Sequence, residues 1–341
     1  MKKIVLTGGG TAGHVYPALA LVDDLKKEYE IHYFGGDGME KEILKKYPYI
    51  TYHQINAVKL ERKLTPKNLL IPFKLFSAVR SAKKELKKVD ADIVFSKGGF
   101  VSVPVVIGAS KLKIPVISHE SDLSLGLANR IILHYANALC TTFKDTAKRK
   151  KCVHTGQPIR KSILEGKRLN IETTLPVLLV LGGSSGAKFL NDVVYENIDD
   201  ITKHFFVLHI YGKSGKKLTH QNYFGVPYTD KIEDFYSTAD LVLSRAGSGV
   251  INELKLLNLP MLLIPLSKKI SRGDQIENAK YFEKYGYASY IEEEEASYDK
   301  ILSELQKIQK KCLKNEKNVK KSEKIDANDK ILKLIKKYER K

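Results

Sequence analysis

Four segments of the chain repeat one pattern, in which a short run of β-branched and aliphatic residues leads into a glycine turn and then an amphipathic helix. Strands buried on both faces of a parallel sheet have such continuous apolar runs. Helices that begin after Gly or Ser present free backbone N–H groups at the carboxyl edge of the sheet. The repeated alternation predicts an α/β chain. The segments are Lys2–Leu25, Ala91–Ser110, Pro176–Val194 and Ala239–Leu257.

The spacing of these segments predicts two domains. Two segments lie in each half, and Thr155–Leu169 interrupts the alternation with a proline, glycines and charged residues. We expect Rossmann-like domains at residues 1–157 and 158–324. Because ligands bind at the carboxyl ends of parallel strands, the two sheets are expected to face each other across a cleft. The lysine-rich stretch 325–341 has apolar residues at helical spacing, which predicts a terminal helix.

The charge of the chain indicates anionic partners. Its 58 Lys and Arg residues against 39 Asp and Glu give a formal net charge of +19. Such a surplus favours nucleic acid, anionic lipid or phosphorylated substrates without choosing among them. The sequence suggests neither a membrane-spanning run nor a signal peptide, so a cytoplasmic location is expected. Cys140, Cys152 and Cys312 lack Cys-x-x-Cys spacing and indicate no disulfide framework or zinc site.

The first turn has the glycine spacing of a dinucleotide-binding loop, Gly8-x-Gly10-x-x-Gly13. That function needs an acidic residue about 20 positions later, for which Asp37 is a loose candidate. However, His14 follows the glycines and Pro17 is expected at the first helical position, which would hold an imidazole at the mouth of the site. Two interpretations remain open: His14 accepts a proton from a substrate, or it only caps the turn.

The fourth turn is better suited to a nucleotide. Arg245 precedes the turn Gly247–Gly249, and Glu253 lies one helical turn further on. Backbone N–H groups there would bind a phosphate, and the carboxylate would accept hydrogen bonds from a ribose diol. The alternative is a glycine turn that packs strand against helix, with Glu253 in solvent. In the third turn, Ser184 and Ser185 could donate to a second anion.

Metal binding is not predicted, and no cofactor is expected. Asp92 and Asp240 precede their strands, as does Asp90, and so they lie at the wrong end of the sheet for a ligand. Arg160 and Arg245, with helix N-termini, could neutralise a diphosphate instead. The acidic run Ile291–Ser297 is interpreted as a solvated loop or helix start without chemistry.

Seven motifs occur in order along the chain: GGGTAGHVYPALAL, GGFVSVP, HESDLSLGLANR, TGQPIR, LGGSSGAKFLN, RAGSGVINEL and SRGDQIENA. Together they resemble the MurG family, the N-acetylglucosaminyltransferases that act on undecaprenyl-pyrophosphoryl-muramyl-pentapeptide in peptidoglycan synthesis. The resemblance covers nearly the whole chain and implies a two-domain GT-B fold, with the acceptor on the first domain and the UDP-sugar mainly on the second. It also implies a terminal helix that crosses back to the first domain, and an inverting, metal-independent transfer.

By matching position, the resemblance implies two sets of contacts and a base, which is His14 or Asp122. Many members have Tyr at the position of Phe100, Asn at that of Asp122 and Gln at that of Asp274, so no role is assigned that needs a phenol or amide there. The implied donor contacts are Thr11, Gly13, Arg160, Ser184, Arg245, Gly247, Ser248, Glu253, Asp274 and Gln275. The implied acceptor contacts are Gly10, His14, Gly99, Phe100, His119, Glu120 and Asp122.

A lipid-linked acceptor would explain a basic, apolar segment. Leu60–Lys88 mixes bulky apolar residues with many lysines, a composition suited to an anionic membrane interface. The alternative is an ordinary helix with a solvated lysine face. We expect a peripheral location on the cytoplasmic face of the cell membrane, with cell-wall synthesis proteins as further partners. The predicted membrane contacts are Ile71, Phe73, Lys74 and Phe76.

Other classes explain less of the sequence. A UDP-N-acetylglucosamine epimerase would share the nucleotide-sugar site but would not need the basic, apolar segment. An inactive membrane subunit would not need the donor set. Nucleic-acid binding is not predicted, because neither an RNA-binding aromatic motif nor a helix-turn-helix pattern is recognised. An NAD dehydrogenase leaves the second, third and fourth turns without a role.

Overall fold

The computed structural model describes residues 1–56, 71–183, 186–313 and 326–341. The chain divides into two compact units, the first formed by residues 1–160 and 325–341 and the second by residues 161–324. Ser184, Ser185 and residues 60–70 of the predicted membrane segment lie outside the described residues, as does the side chain of Ile71.

The first unit is a parallel sheet with helices on its faces. Its strand order is β3-β2-β1-β4-β5-β6-β7, and every pair of neighbours is parallel. The chain adds β2 and β3 on one side of β1 and then adds β4 to β7 on its other side, which is the doubly wound Rossmann arrangement. The strands are β1 (Lys2–Thr7), β2 (Tyr29–Gly35), β3 (Ile50–Gln54), β4 (Ile93–Ser96), β5 (Val116–Glu120), β6 (Ala138–Thr141) and β7 (Cys152–His154). The helices are α1 (Ala12–Leu19), α2 (Val22–Leu25), α3 (Met39–Leu44), α4 (Ile71–Val89), α5 (Ser102–Lys111) and α6 (Leu127–Tyr135).

The second unit repeats this arrangement with the strand order β10-β9-β8-β11-β12-β13, again parallel throughout. The prediction of two Rossmann-like α/β units is therefore confirmed. The strands are β8 (Val177–Leu181), β9 (Phe206–Ile210), β10 (Tyr223–Val226), β11 (Leu241–Ser244), β12 (Met261–Leu263) and β13 (Ser289–Tyr290). The helices are α7 (Lys188–Glu196), α8 (Ile198–His204), α9 (Ile232–Thr238), α10 (Ser248–Leu256), α11 (Asp274–Lys284) and α12 (Tyr298–Leu313).

The terminal helix α13 (Ala327–Tyr338) packs into the first unit. Ile331 and Ile335 are completely buried in the core cluster that contains β1 and β2. At the start of the helix, the Asn328 amide nitrogen donates to the Ile159 carbonyl at 3.0 Å, and the amide oxygen accepts from the Ile159 N–H at 3.2 Å. These paired bonds attach the returning chain to the segment where it leaves the first unit.

Two local predictions have different outcomes. The interpretation of Asp92 and Asp240 as strand-entry residues is confirmed, because their carboxylates accept from the backbone N–H groups of Lys3 at 2.7 Å and Val177 at 2.8 Å. The prediction that Pro17 occupies the first helical position is wrong. Helix α1 begins at Ala12, so the proline lies inside it, at a point where its missing N–H costs one helical hydrogen bond.

Candidate active site

The first turn brings a partly exposed histidine to the carboxyl end of β1. His14 is the third residue of α1, and its Nδ1 lies 3.0 Å from the Thr11 hydroxyl oxygen. In the tautomer whose Nδ1–H donates to that oxygen, Nε2 keeps the lone pair that a base requires. Gly13, a predicted donor contact like Thr11, lies between them in the same turn.

The turn after β4 packs directly against the first turn. Gly99 has φ +80°, and a Cβ there would lie 2.9 Å from the Gly9 carbonyl oxygen and 3.4 Å from His14 Nδ1. A Cβ on Gly10 would lie 2.7 Å from the Phe100 ring. Glycine is required at both positions because no side chain fits. The structure thus brings together Gly10, His14, Gly99 and Phe100 of the predicted acceptor set.

The residues that end β5 organise a loop, and this changes the interpretation of His119. Its ring is completely buried, and both ring nitrogens form hydrogen bonds within the first unit. Nε2 lies 2.9 Å from the Gly156 carbonyl oxygen. Burial, reinforced by the Lys97 charge, lowers the pKa of His119 well below its ordinary value. The expectation that His119 lines the acceptor site is corrected: an inaccessible neutral ring cannot contact a ligand.

Glu120 is also directed into the protein and is only 6% exposed. Its carboxylate accepts from the backbone N–H groups of Asp122 at 3.1 Å and Gly126 at 2.9 Å, and from the Asn129 amide at 3.0 Å. Glu120 therefore shapes the loop, while Asp122 itself is partly exposed.

Sequence reasoning missed two buried charged residues beneath these turns. Lys97 follows β4 directly, and Glu40 lies near the start of α3; both are about 1% exposed. The Glu40 carboxylate accepts from the N–H groups of Gly36 at 2.9 Å and Gly10 at 3.3 Å, and so supports the first turn from behind. A charged residue at the end of an apolar strand was a usable signal for Lys97, whereas Glu40 is one of several acidic residues in its helix.

In the second unit, the turn after β11 has two partly exposed glycines at the start of α10, and Ser248 between them is buried, with 5% of its surface exposed. Apart from the adjacent residues and the nearby helix backbone, no described atom lies within 4 Å of the position that a Cβ would take at Gly247 or Gly249. Gly247 is the N-cap and Ser248 the first residue of α10, so the first backbone N–H groups of the helix and the positive end of its dipole lie at this turn. This is the geometry expected of an anion site.

Glu253 lies further along α10 and is partly exposed. One carboxylate oxygen accepts from the Tyr236 hydroxyl at 2.8 Å, which fixes the orientation of the group. Tyr236 belongs to α9 and was not predicted, because no local pattern connects two residues on separate helices.

Arg245 is engaged within the unit rather than directed at a ligand. It is 8% exposed, its Nη1 donates to the Ile264 carbonyl at 3.0 Å and to the Glu293 carboxylate, and its guanidinium lies over the Phe189 ring. The interpretation of Ile291–Ser297 as a solvated loop or helix start assigned no chemistry to this run, and the structure gives two of its carboxylates a structural role. Glu293 pairs with Arg245, and Glu294 accepts from the Ser267 hydroxyl.

The remaining predicted donor contacts are placed as follows. Asp274 and Gln275 begin α11, where the Gln275 side-chain oxygen accepts from the Leu266 N–H at 3.0 Å and Asp274 lies 3.5 Å from the Arg272 guanidinium. Arg160 belongs to the first unit, with its guanidinium 5.0 Å from the centre of the Tyr16 ring.

Two family models match most of the chain. The glycosyltransferase family 28 N-terminal domain matches residues 4–141, and the C-terminal domain of that family matches residues 177–335. Relatives from Clostridium tetani (strain Massachusetts / E88) and Clostridium botulinum (strain 657 / Type Ba4) are 45% and 46% identical over 99% of this chain, and the matches cover 98% and 99% of those proteins. Both are named UDP-N-acetylglucosamine–N-acetylmuramyl-(pentapeptide) pyrophosphoryl-undecaprenol N-acetylglucosamine transferase.

Solved structures share the fold. MurG from Acinetobacter baumannii is 24% identical, with a TM-score of 0.76 over 99% of this chain and 100% of that one. The UDP-GlcNAc 2-epimerase from Neisseria meningitidis, bound to UDP-GlcNAc, is 14% identical, with a TM-score of 0.67 over 99% and 100% of the two chains. At these identities the likeness establishes the fold alone, which transferases and epimerases share. The full-length relatives decide between them: the chain belongs to glycosyltransferase family 28 and, within it, to the MurG family of N-acetylglucosaminyltransferases.

Proposed function

We propose that this chain transfers N-acetylglucosamine from UDP-N-acetylglucosamine to the muramyl 4-hydroxyl of undecaprenyl-pyrophosphoryl-MurNAc-pentapeptide. The observation that carries the proposal is the 45% identity to transferases of that name over 99% of the chain. The two candidate ligand turns are consistent with it, since one presents an imidazole and the other an open helix N-terminus.

The proposed reaction is a single displacement at the anomeric carbon. The acceptor hydroxyl attacks, its proton passes to His14 or Asp122, the bond to UDP breaks, and the anomeric configuration inverts. Negative charge accumulates on the diphosphate as the bond breaks. The backbone N–H groups and dipole at the start of α10 would stabilise that charge, with no metal ion needed. Glu253, held by Tyr236, would accept hydrogen bonds from the ribose hydroxyls.

Labelled transfer tests this function. With N-acetylglucosamine-labelled UDP donor, a short-chain lipid I analogue and EDTA, we expect a β-linked disaccharide on the lipid. A second reaction without lipid should leave the donor as UDP-N-acetylglucosamine. Conversion of the donor to its 2-epimer in that reaction, or donor binding without transfer in the first, would contradict the proposal.

We further propose that α4 binds the cytoplasmic leaflet of an anionic membrane. Phe73 and Phe76 lie one helical turn apart and are 76% and 65% exposed, and the exposed Lys74 lies between them. Exposed aromatic residues beside lysines suit the interface of an anionic bilayer, which would bring the enzyme to a lipid-linked acceptor. Among the described residues, none of the helices is long and apolar enough to cross a bilayer.

Replacement of Phe73 and Phe76 by Ser should release the protein from vesicles. The substitutions remove two aromatic side chains that would bury apolar surface in the bilayer interface. We therefore expect the fraction that sediments with anionic vesicles to fall about tenfold or more. Leu164→Ser is a matched control, because Leu164 is also a 64% exposed apolar residue but lies outside α4. An unchanged bound fraction for the double variant would rule out this membrane role.

A further inference from the structure

Lys97 is a buried cation, and removal of its ammonium group from water has an unfavourable free energy that packing alone does not offset. Its side chain is 1% exposed, and burial lowers the pKa of the ammonium to about 8, while the Glu120 and Asp122 charges oppose that shift. Removal of a cation from water is unfavourable unless hydrogen bonds and opposite charges compensate for the lost hydration. The hydrogen bonds of Lys97 indicate why a cation occurs at this buried position.

The direction of those hydrogen bonds follows from the ammonium group, which can only donate. Lys97 Nζ lies 2.8 Å from His119 Nδ1 and 2.5 Å from the Ser121 hydroxyl oxygen. His119 must then accept at Nδ1, so its proton is on Nε2 and is donated to the Gly156 carbonyl at 2.9 Å. One charged group thus sets the tautomer of the imidazole.

The same reasoning orients the next part of the network. Ser121 accepts from Lys97 and donates to the Gln157 side-chain oxygen at 2.9 Å. That oxygen also accepts from the Thr142 hydroxyl at 2.9 Å. Lys97 therefore connects the end of β4 with the loop after β5 and, through His119 and Ser121, with Gly156 and Gln157.

Asp122 follows Ser121 in this loop and is held from the other side by Glu120. The Ser121 hydroxyl accepts from the buried cation, while the Asp122 N–H donates to the buried Glu120 carboxylate at 3.1 Å. The two groups that anchor this loop, the Lys97 ammonium and the Glu120 carboxylate, are buried, whereas Ser121 and Asp122 are both partly exposed. The backbone that carries the Asp122 carboxylate is thus constrained by two opposite buried charges.

We propose that Lys97 is a positioning residue for the glycosyl transfer: through Ser121 it holds the loop that presents Asp122 to the acceptor. The expected effect on transfer rests on the proposed function, whereas the expected ordering of the loop does not. Lys97 acts through Ser121 and does not itself touch the substrate.

Lys97→Met tests this by two independent measurements. Hydrogen–deuterium exchange of the peptide covering residues 119–126 should become at least about tenfold faster, since the loop loses its internal anchor. In the transfer assay, kcat should fall about fivefold and no further than in Asp122→Asn, whereas KM for UDP-N-acetylglucosamine should stay within twofold, because the proposed donor contacts Glu253 and Ser248 belong to the other unit. Lys150→Met, at an exposed lysine of the same unit, should change neither quantity.

Ser121→Ala provides a milder variant in case Lys97→Met does not fold, and the same two changes are expected with smaller size. Faster exchange with unchanged kcat would overturn the proposal, as would lower kcat with unchanged exchange, which would indicate a direct catalytic role. If the wild type itself transfers no sugar, the proposed function fails, and the exchange result alone then decides whether Lys97 holds the loop.

Discussion

Glu253→Gln is expected to lower kcat/KM for UDP-N-acetylglucosamine by roughly 100-fold. Hydrogen bonds to a charged acceptor contribute about 1.5–3 kcal/mol each, and the proposed carboxylate–ribose contact includes one or two of them. Glutamine keeps the shape of the side chain but removes the charge and one acceptor oxygen. Initial rates at varied donor concentration, with acceptor saturating, measure the effect, which should appear mainly in KM if the contact persists unchanged through the reaction.

Tyr236→Phe separates orientation of Glu253 from its charge. The variant removes the hydroxyl that lies 2.8 Å from the Glu253 carboxylate and leaves the charge in place. We expect a loss of about tenfold in kcat/KM for the donor, which corresponds to the free energy of one hydrogen bond.

If Glu253→Gln changed kcat/KM for the donor less than twofold, the carboxylate would not be a ribose ligand. The alternative of a glycine turn that packs strand against helix, with Glu253 in solvent, would then be correct.

The fold was predictable because its determinants are local. Each buried parallel strand is a continuous apolar run that ends in a glycine turn, so the pattern in Lys2–Leu25 and Ala239–Leu257 specifies strand, turn and helix without knowledge of distant residues. The strand orders within the two sheets then follow the common doubly wound arrangement. The position of Pro17 was not predictable in this way, because the helix begins before the proline instead of at it.

The candidate sites were predictable only in part. Glycine turns and a glutamate one helical turn after them are features of short segments, whereas the partners that orient them come from elsewhere in the chain. Arg245 illustrates the difference: its position beside a glycine turn predicts a phosphate contact, but pairing with Glu293, 48 residues later, engages the guanidinium within the protein. Lys97 is similar, because its partner Ser121 is on the loop after a neighbouring strand. Long-range pairing of this kind leaves no spacing for sequence analysis to detect.

His14→Ala is expected to reduce kcat by about 100-fold to 10,000-fold, the range that general base catalysis contributes. The expectation follows from the partly exposed ring, whose Nδ1 is oriented by the Thr11 hydroxyl at 3.0 Å. KM for the donor should change little, because Glu253 and the α10 N-terminus remain intact. Single-turnover transfer to a lipid I analogue, with both substrates saturating, isolates the chemical step from product release.

Asp122→Asn decides between the two candidate bases. Asparagine has nearly the same shape as aspartate but cannot accept a proton at neutral pH, so a loss as large as that of His14→Ala would identify Asp122 as the base. We expect a loss below about tenfold, because an oriented imidazole can accept the proton without help from the Asp122 carboxylate.

Thr11→Val supplies the complementary test. If His14 is the base, removal of the hydroxyl that orients its ring should lower kcat in the wild-type background and have no further effect in His14→Ala, since two residues that act through one group are not additive. Additive losses would instead give Thr11 a role that is independent of His14.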